Sequence, residues 1–137
     1  MTPWVQCLIS ETDIQKFNEV KNAVSALPDL DLGIYQKSGE KIILSCHILA
    51  RAVGRVFELK CVDGKFYPYF SHSWNETKEG NIFDVYPVAV IGGPTLMSGD
   101  KCSPANFLYI PEVHIEFVEE AGHAVDIVAT ELQKHKV

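Results

Sequence analysis

Between residues 45 and 86 the apolar residues change period within a few positions. In SCHILARAVGRVF they fall at Ile48, Leu49, Ala52, Val53, Val56 and Phe57, the spacing of one helix face. Beyond Gly54 they move toward alternation through FELKCVDG, FYPYFSHSWNET and NIFDVYPVAVIGG. Each of these reads as a strand, with KEGN as the turn between the last two. A helix that leads directly into consecutive antiparallel strands predicts an α+β fold, the helix packed on a small antiparallel sheet.

The flanks are helical. Ser10 with Asp13 three residues on approximates a capping box, and Ile14, Phe17, Val20, Val24 and Leu27 then recur at helical spacing up to Pro28. PDLDLG and QKSGEK are turn-rich connections, and the Ser45 hydroxyl is placed to cap the second helix. GGPTLMSGDKCSPANF reads as a loop, LYIPEVHIEFVEE contains a short strand, and AGHAVDIVATELQKHK forms a last helix. No repeat, linker or low-complexity tract interrupts the 137 residues, so one domain over 1–137 is expected.

Charge and hydropathy exclude several classes of function. A net charge of −6 with scattered Lys and Arg gives no positive field for nucleic acid or anionic lipid. No apolar run approaches the roughly 18 to 20 residues of a membrane span. The first residues, MTPWVQCLISETD, have neither the basic start nor the long apolar stretch of a secretory signal, so a cytoplasmic location is expected. Cys7, Cys46, Cys61 and Cys102 form no C-x-x-C pair and are read as free thiols of a reducing compartment.

Three residues could do chemistry together. Cys46 opens a helix, where unsatisfied amides and the dipole favour a thiolate and could hold an oxyanion. His72 shares a strand face with Phe70 and Trp74, which restrict the imidazole and exclude water. Asp84 stands among apolar neighbours in a strand, where Asp is disfavoured. If KEGN pairs residue 76 with 82, Asp84 faces Trp74 and lies diagonal to His72, within side-chain reach. A one-residue slip would turn it away. Taken alone, a cysteine is more often a small buried hydrophobe. His47 is assigned no role, because a helix turns about 100° per residue and carries it away from Cys46. His114, His123 and His135, with Cys7, Cys61 and Cys102, are read as surface or packing residues. Cys46, His47, His72 and Asp84 are all zinc-competent, but their spacing matches no standard motif, so neither metal nor other cofactor is expected.

Cys46 leading a helix, H-S-W at His72 to Trp74 and D-x-Y-P at Asp84 to Pro87 resemble the transglutaminase-like branch of the papain-like cysteine enzymes, over roughly residues 40 to 90. The resemblance implies a papain-like, transglutaminase-like fold and a Cys-His-Asp triad acting on amide or related acyl bonds. Cys46 would be the nucleophile, His72 the general base and then acid, and Asp84 the orienting carboxylate. The chain departs from larger members in its short Cys46 to His72 interval and in lacking a Trp before the nucleophile. The second oxyanion donor is unassigned, with Gln36 as a candidate.

The expected activity is acyl transfer from an amide of a peptide or protein, either to water or to an amine. Tyr69 and Trp74 are the expected substrate contacts. A second reading is a non-catalytic peptide-binding module that keeps the papain-like frame and grips a peptide with Tyr67, Tyr69, Phe70 and Trp74. The acidic balance would steer a basic peptide toward either.

Overall fold

Ser10 starts the first helix as its cap: the side chain accepts the Asp13 amide at 3.2 Å, and α1 runs Glu11–Ser25. The computed structural model describes residues 9–28, 30, 32, 37–39, 44–68, 70–86, 94–100, 103–112 and 119–136. Phe17, Val20 and Val24 of α1 are buried as the periodicity predicts, whereas Ile14 is exposed and Leu27 only partly covered. Asp13 does more than assist the cap. Its buried carboxylate oxygen Oδ2 accepts from Thr77 Oγ1 and Asn81 Nδ2, both at 2.7 Å, so α1 is pinned to the turn between two strands.

The second helix, α2, spans Cys46–Phe57, and the Ser45 side chain accepts the Ile48 amide at 3.3 Å. All six expected apolar positions, from Ile48 to Phe57, are buried. The helix ends on Glu58 in the left-handed region (φ 57°), a conformation that glycine adopts more cheaply. Beyond it lie β1 (Lys60–Phe66), β2 (Phe70–Glu76), β3 (Ile82–Asp84), β4 (Thr95–Met97), the short α3 (Ala105–Leu108), β5 (Tyr109–Pro111) and α4 (Glu119–His135). Among the described residues, no helix is long and apolar enough to cross a membrane.

The five strands form one sheet in the order β4-β3-β2-β1-β5, with every pairing antiparallel. The chain is thus α+β, and Glu76 pairs with Ile82, the register assumed from KEGN. Three boundaries differ from the sequence reading. Phe66 ends β1 rather than opening the next strand, which begins at Phe70. The expected third strand is described only as Ile82–Asp84, and 87–93 lie outside the described residues. The presumed loop contains β4 and α3, because the free edge of β3 pairs a segment that has no periodicity of its own.

β2 is covered on both faces. Asn75 Nδ2 donates to the Ala50 carbonyl at 2.8 Å, which seats α2 against that strand. Phe83 joins α1, α2 and α4 in the larger core, with Val20, Leu49, Val53, Val128 and Leu132 at its centre. Val62, Phe66, Trp74, Ile82, Ala105 and Tyr109 form a second, smaller core. Gly64, paired with His72, permits the close approach of β5: a Cβ there would stand 2.1 Å from the Ile110 carbonyl oxygen and 2.9 Å from the Trp74 ring.

Two substitutions test this packing by urea denaturation. Glu58→Gly is expected to raise stability by about 0.5–1 kcal/mol through relief of the left-handed conformation. Gly64→Ala is expected to lower it by about 2 kcal/mol or more, since backbone must move to admit the methyl group. An unchanged Gly64→Ala midpoint would refute the close approach of β5.

Candidate active site

The site begins at the mouth of α2. Ser45 caps the Ile48 amide with its hydroxyl and the Leu49 amide with its carbonyl, the latter at 3.0 Å. Intrahelical bonding therefore leaves the Cys46 and His47 amides at the helix entrance, at the positive end of the dipole. The Tyr86 hydroxyl donates to the Leu44 carbonyl at 2.9 Å, tying the segment before Cys46 to the end of β3. The half-buried Cys46 side chain lies over the strands among Leu49, Ser73, Trp74, Asp84 and Tyr86.

His72 and Asp84 meet as the register requires. His72 Nε2 lies 2.7 Å from Asp84 Oδ2, and the residues are 1% and 2% exposed, so water cannot compete for the bond. The same oxygen accepts the buried Tyr109 hydroxyl at 2.9 Å. A carboxylate can only accept, so Nε2 carries a proton and Nδ1 is the nitrogen left to exchange one. Nδ1 is buried and makes no hydrogen bond, although it lies on the residue that shares charge with Cys46. The imidazole is thus close enough to Cys46 to favour the thiolate, although Nδ1 makes no hydrogen bond of ordinary geometry, a looseness common in substrate-free sites.

Aromatic rings enclose the imidazole. Trp74 lies nearly parallel to it with centroids 6.2 Å apart, while Phe66, Tyr86 and Tyr109 stand at 6.2, 6.5 and 6.4 Å. Trp74, expected as a substrate contact, is instead a 1% exposed wall of the site: alternation along β2 turns it into the smaller core. Its indole Nε1 is buried without a hydrogen-bond partner. Tyr69, Gln36, Pro87, Cys7, Cys102 and His114 lie outside the described residues, whereas His123 and His135 are exposed. Among the described residues, the exposed aromatics are Tyr67, Phe70 and Phe107 of α3, the last against Tyr67 at a centroid distance of 4.7 Å. Phe107 had no signal in sequence because its neighbours show no periodicity.

Burial pushes the Cys46 thiol up, but the His47 and His72 imidazoles beside it outweigh burial and bring the thiol down from 9.0 to about 6. Burial pushes His72 down, yet Asp84 and Cys46 raise it to about 9. Between those limits the pair is a thiolate beside an imidazolium. The signs for stability are opposite. The Cys46 contribution is complete above the thiol's usual value and is lost as pH falls through about 6. The His72 contribution is complete below its usual 6.5 and is lost as pH rises through about 9. Cys61 behaves differently: burial, with the charges of Asp63 and Cys46, outweighs Arg51 and pushes it up to about 11. Among the described residues, no three of His, Cys, Asp and Glu are placed to hold a metal ion.

Alkylation by limiting iodoacetamide is therefore expected to label Cys46 with a pH midpoint near 6 and to leave Cys61 unlabelled at neutral pH, as read by peptide mass spectrometry. Equal labelling of the two thiols at pH 7 would refute the electrostatics of the site. No family model matches the chain, and neither does any curated protein or solved structure.

Proposed function

We propose that the chain is a thiol-dependent acyl-transfer enzyme with a transglutaminase-like, papain-like frame, acting on an amide of a peptide or protein in the cytoplasm. The observation that carries this reading is the buried His72–Asp84 bond beside a thiol in the first turn of a helix. An isolated structural cysteine needs neither a neighbouring imidazole nor a carboxylate that fixes that imidazole's tautomer.

In the first step the Cys46 thiolate attacks the carbonyl carbon, and the electron pair of the C=O bond moves to oxygen. The Cys46 and His47 amides at the helix entrance face the charge that develops there. The C–N bond then breaks, and the leaving nitrogen takes the proton from His72 Nδ1. In the second step His72 Nδ1 accepts a proton from water or an amine as it attacks the thioester. The C–S bond breaks and returns the thiolate. Asp84, itself held by Tyr109, keeps Nε2–H occupied and the ring in one orientation throughout.

Exposed Tyr67, Phe70 and Phe107 favour a second reading, a peptide-binding module without turnover. The two separate on a covalent test. Unstructured glutamine-containing peptides, incubated with and without a primary amine and quenched in acid, are expected to leave an acyl adduct on Cys46. Cys46→Ala should abolish turnover, and His72→Ala or Asp84→Asn should slow it by about 10²- to 10⁴-fold. Peptide binding with no adduct and no turnover would establish the module instead.

A further inference from the structure

His47 occupies the position after the thiol and is half-buried. Its Nδ1 lies 2.6 Å from Ser73 Oγ, and Ser73 Oγ in turn donates to Asp63 Oδ1 at 2.6 Å. Arg51 closes the chain, with its guanidinium 2.7 Å from Asp63 Oδ2 and a second nitrogen donating to the His47 carbonyl at 3.1 Å. The protons can be assigned by counting. Burial pushes Asp63 up, but Arg51 and Ser73, with the charge of His47, hold it below the usual carboxylate range, so it is an acceptor only. Ser73 has a single hydroxyl proton, and Asp63 receives it. The short contact to His47 must therefore be Nδ1–H donating to the serine oxygen. That commitment leaves Nε2 as the ring nitrogen available to the thiol.

We infer that His47 is a second imidazole at the Cys46 thiol, held in one tautomer by the Ser73–Asp63–Arg51 chain, and that it shares with His72 the work of keeping the thiol ionised. The inference rests on Cys46 being the nucleophile proposed above. β2 supplies both supports: His72 and the neighbouring Ser73 point to opposite faces of the strand, one toward Asp84 and the other toward His47. The proton leaving Sγ has two acceptors, His72 Nδ1 and His47 Nε2. Each ring is backed by a carboxylate, directly for His72 and through one hydroxyl for His47. The charged and titratable groups that face His47 are Cys46 and Arg51 on its own helix and Asp63 on β1, while Cys61 of β1, His72 of β2 and Tyr86 beyond β3 act on Cys46, and Asp84 of β3 acts on His72.

The test needs no substrate. The rate of iodoacetamide alkylation at Cys46 is measured from pH 5 to 9 in the wild type and in His47→Asn, His47→Ala, Ser73→Ala and His72→Ala. Asparagine retains a donor toward Ser73 and removes the nitrogen available to the thiol, so it keeps the test usable if alanine unfolds the chain. The expected result is a midpoint about one pH unit higher in both His47 variants and a smaller rise in Ser73→Ala. Imidazole nitrogen NMR should show His47 protonated at Nδ1 across the range. Wild-type midpoints in His47→Asn and Ser73→Ala, with a raised midpoint in His72→Ala, would overturn the second imidazole and leave the triad standing. A raised midpoint in the His47 variants but not in His72→Ala would support the His47 assignment and count against the triad.

Discussion

Much of the site depends on the 2.7 Å contact between His72 and Asp84. Burying a carboxylate costs several kcal/mol unless donors surround it, and here an imidazole and the Tyr109 hydroxyl both converge on one oxygen. That arrangement requires a strand register correct to the residue, since a slip of one would turn Asp84 to the opposite face. It also requires a dry surround, which Phe66, Trp74, Tyr86 and Tyr109 provide. The smaller core is thus both packing and the insulation of an ion pair. Gly64 belongs to the same arrangement, because only a residue without Cβ lets β5 carry Tyr109 close beside β1.

The thiol is placed by different means. α2 is anchored through the contact of Asn75 with the Ala50 carbonyl and the burial of its apolar face, so its first turn is held rigidly over β2. Tyr86 secures the residues leading into that turn. A cysteine at such a place would be raised by partial burial alone. Two neighbouring histidines reverse the sign, and the contrast with Cys61, pushed the other way by burial and nearby negative charge, shows how local the effect is. The ionisation of this thiol follows from which charges face it, more than from the residue type.

Much of this is legible in the sequence alone. Ser10 and Ser45 as caps, the six buried positions of α2, and the diagonal relation of His72 to Asp84 all follow from local periodicity and one turn. Other features are not. Asp13 reads as a helix-start residue but serves as the buried acceptor for Thr77 and Asn81, more than sixty residues away. Trp74 reads as a surface for substrate and is a wall of the core. The geometry of an isolated helix gives His47 no role; its side chain is instead drawn to Ser73, a partner 26 positions distant.

The sequence by itself determined the three long helices, the hairpin register between β2 and β3 and the order of Cys46, His72 and Asp84, because each depends on spacing among near neighbours. Tertiary structure decided β4, the short α3, the pairing of β5 with β1, the burial of Trp74, the Tyr109 bond to Asp84 and the chain from His47 to Arg51. Those depend on which distant segments meet at a sheet edge or a helix mouth. Such meetings are selected by the packing of the whole chain, and no local period records them.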